Sequence, residues 1–166
     1  SSPRRRRPPR HRQRRERKAQ EGMLLQLDGS PHDWLLGRGP KFTLLLAVDD
    51  ATGTVPAALF HPLEDTLGYL LLFNDVVRRH GIPLAVYTDR HSVFLSPRTQ
   101  WGEQHPGVNE TPTQFGRALR ELGVTQIFAL SPEAKGRIER ANGTFQGRLV
   151  AELRLIYRRL PMYVGA

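Results

Sequence analysis

The chain has 166 residues, of which 39% are hydrophobic and 25% are charged, so it can bury a core the size of one domain. It contains no cysteine, which excludes disulfides, cysteine nucleophiles and cysteine-based zinc sites. Its sequence holds no apolar run long enough to cross a bilayer and no signal peptide pattern, so we expect a cytoplasmic protein without a membrane partner.

The net charge of +9 belongs entirely to the first 20 residues. They hold ten basic side chains and one acid, and subtracting these from the totals of 25 and 16 leaves 15 of each sign elsewhere. A segment so basic and so poor in apolar residues cannot pack a core and is predicted to be a disordered arm. Its expected partner is DNA, although a solvated linker would have the same composition. The predicted DNA-binding arginines are Arg4, Arg5, Arg6, Arg7, Arg10, Arg12, Arg14 and Arg15.

The rest of the chain alternates strand and helix patterns. Short apolar runs predict five strands, at 23–28, 42–48, 54–60, 84–88 and 124–128. Helical spacing of apolar residues predicts three helices, at 64–80, at 111–122 and from about Lys135 onward. This order predicts an α/β fold with a mixed five-stranded sheet, an antiparallel hairpin at one side and helices on both faces.

Three connections have recognisable local chemistry. Asp49 and Asp50 open the turn between the second and third strands, where aspartate is expected because it bonds backbone amides. Thr111 and Pro112 are typical of a capping box with proline at the first helical position. Residues 93–110 contain prolines and glycines without sustained periodicity, which predicts a long loop.

These patterns predict three segments of different character. Residues 1–21 form the arm, residues 22–160 form the folded core, and residues 161–166 begin a linker to a further C-terminal region. We therefore expect the chain to be a fragment of a longer protein.

Three carboxylates fall where ligands usually bind. Asp28 is predicted to end the first strand, Asp89 follows the fourth strand, and Glu139 lies in the first turns of the last helix. Side chains at strand ends converge at one edge of an α/β sheet. Such a cluster requires cations, and its oxygen ligands favour Mg²⁺ or Mn²⁺, of which two can act together in phosphoryl transfer. By spacing alone, the same acids would also be ordinary caps of strands and helices.

The local sequences around these acids indicate a function more specifically than the spacing between the acids does. They are Gln26-Leu27-Asp28-Gly29-Ser30, Tyr87-Thr88-Asp89-Arg90 and residues 131–144, in which Lys135–Asn142 is the most specific part. Together they resemble the DDE transposases of bacterial insertion sequences, particularly ISNCY-like transposases, and the catalytic core of retroviral integrases. The resemblance covers about residues 23–155. It implies an RNase H-like fold and metal ligation by Asp28, Asp89 and Glu139.

One departure from the family pattern concerns the distance between the last two acids. Glu139 follows Asp89 by 50 positions, more than in most integrases. The loop at 93–110 would absorb the excess, so the departure leaves the triad intact.

The last helix also carries candidate DNA contacts. Lys135 is four residues before Glu139 and shares its helical face, which favours either a contact with a DNA phosphate or an ion pair with Glu139. Arg137, Arg140 and Asn142 are the other predicted DNA-binding residues of this helix, although lone arginines could equally be solvated.

The predicted function is that of a transposase catalytic domain. The resemblance implies Mg²⁺-dependent hydrolysis at transposon ends, followed by attack of the freed 3′-hydroxyl on target DNA. The expected partners are double-stranded DNA and further copies of the chain, because transposition joins two ends. The expected location is the bacterial nucleoid. The alternatives are an inactive DNA-binding remnant and an RNase H-like nuclease without strand transfer.

Overall fold

The computed structural model describes residues 16–96, 112–129 and 136–159, with side chains described as far as residue 155. The predictions for arm residues 1–15, for positions 97–110 of the loop and for Lys135 lie outside the described residues. The strands are β1 (Leu25–His32), β2 (Phe42–Asp49), β3 (Ala57–His61), β4 (Ala85–Thr88) and β5 (Thr125–Phe128). The helices are α1 (Thr66–His80), α2 (Gln114–Glu121) and α3 (Gly136–Arg159).

The strands form one mixed sheet in the order β3-β2-β1-β4-β5. β1, β2 and β3 pair antiparallel, whereas β4 runs parallel to β1 and β5 parallel to β4. The predicted mixed five-stranded sheet, with its hairpin at one side, is therefore confirmed. The hairpin strand β2 is buried along nearly all its length, as expected of its continuous apolar run.

The predicted end of β1 at Asp28 was wrong. β1 continues to His32, because Gly29 to His32 stay paired with Leu45 to Phe42 of β2. On its other side, β1 is paired with β4 only at Leu25 and Gln26. Asp28 thus lies inside a strand, but beyond the last paired residue on the side of β4.

The core has a layer on each face of the sheet. Because side chains alternate along a strand, Leu25 and Leu27 face α1 and α2, while Gln26, Asp28 and Ser30 face α3. The α1 side contains a cluster of aromatic rings: Tyr69, Phe73, Phe94 and Phe115. The α3 side contains a second cluster: Trp34, Leu44, Leu46, Val48 and Ile138.

Both shorter helices begin at a side-chain cap. Asp65 accepts a hydrogen bond from the Gly68 amide at 2.8 Å and starts α1, which ends at Gly81 as expected. For α2 the predicted cap at Thr111 was wrong. Thr113 is the N-cap, because its hydroxyl accepts from the Gly116 amide at 3.1 Å, and Pro112 therefore precedes the cap.

In the part of the chain that the structure describes, no helix is sufficiently long and apolar to span a lipid bilayer.

Candidate active site

Asp28 lies on β1, and Asp89 comes directly after the neighbouring parallel strand β4. Leu25 pairs with Val86 and Gln26 with Tyr87, and Asp28 and Asp89 each stand two residues beyond the last of these pairs. Neighbouring strands are about 4.8 Å apart, and both aspartates are half-buried. The Asp89 carboxylate also accepts a hydrogen bond from the His91 amide at 2.9 Å, which fixes the turn after β4.

The phenol of Tyr69 lies within electrostatic range of both aspartates. Burial raises the pKa of Tyr69 far above its usual range, and the charge and hydrogen bond of Glu64 raise it further. The charges of Asp28 and Asp89 add to the same pKa shift. One buried hydroxyl on α1 therefore lies in the negative field of three carboxylates and stays protonated.

Helix α3 contacts Asp28 directly. The Asn142 side-chain amide donates to the Asp28 Oδ2 at 2.8 Å, and Asn142 is buried. Glu139 stands three residues earlier on α3, slightly less than one helical turn away, and is exposed. The helix that contacts the first predicted acid therefore also carries the third.

The contact between α3 and β1 is part of a ladder of three hydrogen bonds. The Ile138 amide donates to the Gln26 Oε1 at 3.4 Å, and the Gln146 Nε2 donates to the Ser30 Oγ at 2.7 Å. The Asn142 bond lies between them. Two strand residues rise about 6.6 Å and four helical residues about 6 Å, so every fourth residue of α3 can bond to every second residue of β1.

Glu139 is on the predicted helix but is not gathered with the two aspartates. Across residues 16–96, 112–129 and 136–159, no three acidic or histidine side chains are close enough together to hold one metal ion. Asp28, Asp89 and Glu139 therefore do not form one group of that kind in this structure.

Sequence reasoning missed Glu64 and Tyr69. The Tyr69 hydroxyl donates to the Glu64 Oε1 at 2.7 Å, and a Cβ atom on Gly29 would lie 2.5 Å from the Glu64 carboxyl carbon. Glu64 thus covers the residue next to Asp28, on the α1 side of the sheet. No pattern indicates the pair, because Glu64 precedes α1 and its five-residue spacing from Tyr69 has no helical meaning.

The structure places the predicted DNA contacts of α3 in different surroundings. Arg140 is exposed. Arg137 forms an ion pair with Asp50, and its side chain is only 19% exposed. The bond from Asn142 to Asp28 likewise turns that side chain inward. Arg137 and Asn142 therefore contact the protein itself in this structure.

The adjacent aspartates of the β2–β3 turn have separate roles. Asp49 bonds the amides of Ala51 and Thr52 at 3.0 and 2.9 Å, which confirms the prediction of a turn aspartate. Asp50 is fully buried and accepts from Arg137 and from the Gln26 side chain. Its place in the sequence is thus explained by tertiary contacts rather than by the turn alone.

No protein-family model matches the chain. It is 42% identical over 142 residues to the y4bF protein of Sinorhizobium fredii, which carries the name of a transposase. It is 40% identical over 140 residues to the transposase for insertion sequence IS1202 of Streptococcus pneumoniae. The chain is a relative of insertion-sequence transposases. These alignments cover 85% and 84% of the chain but only 30% and 29% of the two relatives.

The fold of this transposase relative matches that of an integrase core. The integrase catalytic core domain of HTLV-2, solved in complex with magnesium in a dimeric form, superimposes with a TM-score of 0.62. The two sequences are 20% identical, and the match covers 86% of this chain and 79% of the viral domain. The predicted RNase H-like fold is therefore confirmed.

Proposed function

We propose that this chain is the catalytic part of a DDE transposase, a polynucleotidyl transferase that cuts DNA at transposon ends and joins them to target DNA. The observation that carries the proposal is the position of Asp28 on β1 and of Asp89 just after the neighbouring parallel strand β4, with Asp28 bonded to the helix that bears Glu139. The 42% identity to a protein named as a transposase supports the same chemistry. Because the chain spans about 30% of the relatives it matches, the activity of the whole protein is part of the proposal.

The metal that this chemistry requires fits the residues in part. Asp28 and Asp89 offer carboxylate oxygens, the ligands preferred by Mg²⁺ and Mn²⁺, and both side chains are half-buried. The magnesium in the HTLV-2 integrase core supports this choice. We propose that Asp28, Asp89 and Glu139 hold two ions, with Glu139 reaching from the exposed face of α3. Bound metal would activate a water or 3′-hydroxyl and stabilise the leaving oxygen.

The protein's own contribution is to fix the carboxylates. Asn142 donates to Asp28 and holds the plane of that carboxyl group, while the His91 amide holds Asp89. Groups that orient metal ligands in this way typically change metal affinity or activity by 10–100-fold when removed, so roughly this effect is expected here. The nucleophile is water or a DNA hydroxyl, so no covalent bond between protein and DNA forms.

DNA is the proposed substrate, both as transposon ends and as target, and a homo-oligomer assembles on it. Arg140 is exposed on the same helix as Glu139 and is available to a phosphate. The arginines of the arm and Lys135 remain predicted DNA contacts. The dimeric form of the HTLV-2 core supports an assembly of more than one copy.

Three single substitutions test the proposal in the full-length protein. Asp28→Asn, Asp89→Asn and Glu139→Gln remove one charge each and keep the shape of the side chain. Each should abolish joining of a labelled 3′-end to a second duplex in Mg²⁺, because each removes a metal ligand. Folding, followed by circular dichroism, should be unchanged.

The products of the wild-type protein decide between activities. If the wild-type protein cleaves DNA ends but never joins them to target DNA, the protein is a nuclease and the proposal is wrong. Near wild-type joining by any one variant would remove that residue from the set of ligands. Asp75→Asn on α1 is a matched control that should leave joining unchanged, because Asp75 is half-buried like Asp28 and Asp89 but pairs with Arg79.

A further inference from the structure

Asp50 and Arg137 form an ion pair inside the protein, between the end of β2 and the start of α3. The Asp50 side chain is fully buried. Its Oδ1 accepts from Arg137 and, at 2.8 Å, from the Gln26 Nε2, while its Oδ2 accepts from the Lys18 amide at 2.8 Å. A buried carboxylate is costly unless charge and hydrogen bonds compensate it, and here both are supplied.

These contacts fix the first turn of α3. The first amides of a helix have no partner within the helix, so the first turn frays unless something outside holds it. The Ile138 amide is one of them, and it donates to the Gln26 Oε1 at 3.4 Å. Gln26 therefore connects the Asp50 carboxylate to the backbone of α3 at Ile138. The preceding residue, Arg137, binds Asp50 directly.

Both attachment points immediately precede Glu139. Arg137 is two residues before it and Ile138 is one residue before it. Glu139 itself is exposed, so its position relative to Asp28 and Asp89 depends on the backbone of this turn. The Asn142 bond to Asp28 holds the next turn of the helix.

We propose that Arg137 and Asp50 are positioning residues, which hold the first turn of α3 so that Glu139 can act with the two sheet aspartates. The proposal rests on the proposed function, because the position of Glu139 matters only if Glu139 is used. A positioning role of Arg137 and a DNA contact by Arg137 would affect different measured quantities. A positioning residue sets the rate on saturating DNA, whereas a phosphate contact sets DNA affinity and its salt dependence.

Arg137→Met in the full-length protein tests this difference. We expect strand transfer on saturating DNA in Mg²⁺ to slow by roughly 10²-fold, because small displacements of catalytic groups have effects of that size. DNA affinity and its salt dependence should stay at the wild-type values. Arg137→Lys keeps the charge and should restore part of the rate. The matched control is Arg79→Met. Arg79 also pairs with an aspartate, since its Nε lies 2.8 Å from the Asp75 Oδ1, but its side chain is 65% exposed.

A second variant guards against misfolding. Arg137→Met alone leaves a buried charge unpaired, which is strongly destabilising, whereas Asp50→Asn combined with Arg137→Met removes both charges and keeps an acceptor for Gln26. The double variant should fold and still transfer strands slowly. Normal transfer by a folded double variant would overturn the proposal.

Amide hydrogen exchange supplies a readout that does not depend on activity. Exchange at residues 138–142 should accelerate in the double variant, while exchange in α1 stays as in the wild type. Unchanged exchange at 138–142, or lower DNA affinity with a normal rate, would overturn the positioning role. A wild-type protein that transfers no strands would instead refute the proposed function, and the exchange result would still report whether the pair fixes α3.

Discussion

Gly29 leaves no room for even the smallest side chain. A Cβ atom there would lie 2.5 Å from the carboxyl carbon of Glu64, closer than non-bonded atoms approach. Glu64 cannot move freely, because the buried Tyr69 hydroxyl donates to it at 2.7 Å. We expect Gly29→Ala to displace Glu64 and lower the free energy of unfolding by about 1–3 kcal/mol, measured by urea denaturation.

The control for this substitution is Gly147→Ala on α3, where an added Cβ atom meets nothing within 4 Å. It should raise the free energy of unfolding by about 0.5–1 kcal/mol, because alanine favours a helix. A double-mutant cycle of Gly29→Ala with Glu64→Ala should be strongly non-additive. Additive effects would show that Glu64 is not what the new methyl group displaces.

Sequence reasoning predicted the three acids as metal ligands but did not predict the contacts of their neighbours. Asp28, Asp89 and Glu139 could be selected because each lies in a distinctive local motif. Arg137 and Asn142 lie in the same motif, and the sequence suggested DNA contacts for both. A helical pattern indicates which residues share a face but not which groups of the sheet lie opposite, so their bonds to Asp50 and Asp28 could not be predicted.

At the scale of elements, the site depends on the alignment of α3 with β1 along the three hydrogen bonds between them. The ladder bonds of Asn142 and Gln146 are similar in length, at 2.8 and 2.7 Å, but only Asn142 reaches a predicted metal ligand. Asn142→Ala should slow strand transfer by roughly 10–100-fold, the effect of losing a group that orients a ligand. Gln146→Ala should leave the rate unchanged, since its partner Ser30 holds no metal.

Each substitution should lower the free energy of unfolding by about 0.5–1.5 kcal/mol, since each removes one hydrogen bond. Comparing stability and rate for the two variants separates the packing of α3 from its catalytic role. An equal loss of rate in both variants would mean that the ladder acts only by holding the helix.

The order of the elements could be predicted, but some of their ends could not. The apolar run at the start of β1 stops at Leu27, yet pairing with β2 continues through Pro31 and His32. That extension comes from the backbone of β2, which the local sequence does not reveal. The cap of α2 is two residues later than predicted, because the Thr113 hydroxyl accepts a hydrogen bond from the Gly116 amide, a contact that the local sequence does not reveal.

At the scale of the whole molecule, the excess positive charge and the three predicted acids belong to different parts of the sequence. Residues 1–15 carry eight arginines, and the Lys18 amide ties the following segment to buried Asp50. Deleting residues 1–15 keeps that bond. If all eight arginines contact phosphates, the slope of log K against log salt should flatten by up to about 7, measured by fluorescence anisotropy.

Loss of the arm should weaken binding to all DNA sequences alike, because phosphate contacts carry no base information. Strand transfer on saturating DNA should survive, since the deletion removes no proposed metal ligand. The matched control replaces the eight arginines with lysine, which preserves the charge and should preserve the slope. Equal slopes for the truncated and complete proteins would make the arm a passive linker.

The bond between Asn142 and Asp28 spans 114 positions of the chain. During synthesis, therefore, Asp28 and Asp89 leave the ribosome long before the helix that completes their surroundings. On the proposed mechanism, an unfinished or prematurely terminated polypeptide holds two of the three acids and cannot cut. On that mechanism, the proposed DNA cleavage cannot begin until α3 has been translated.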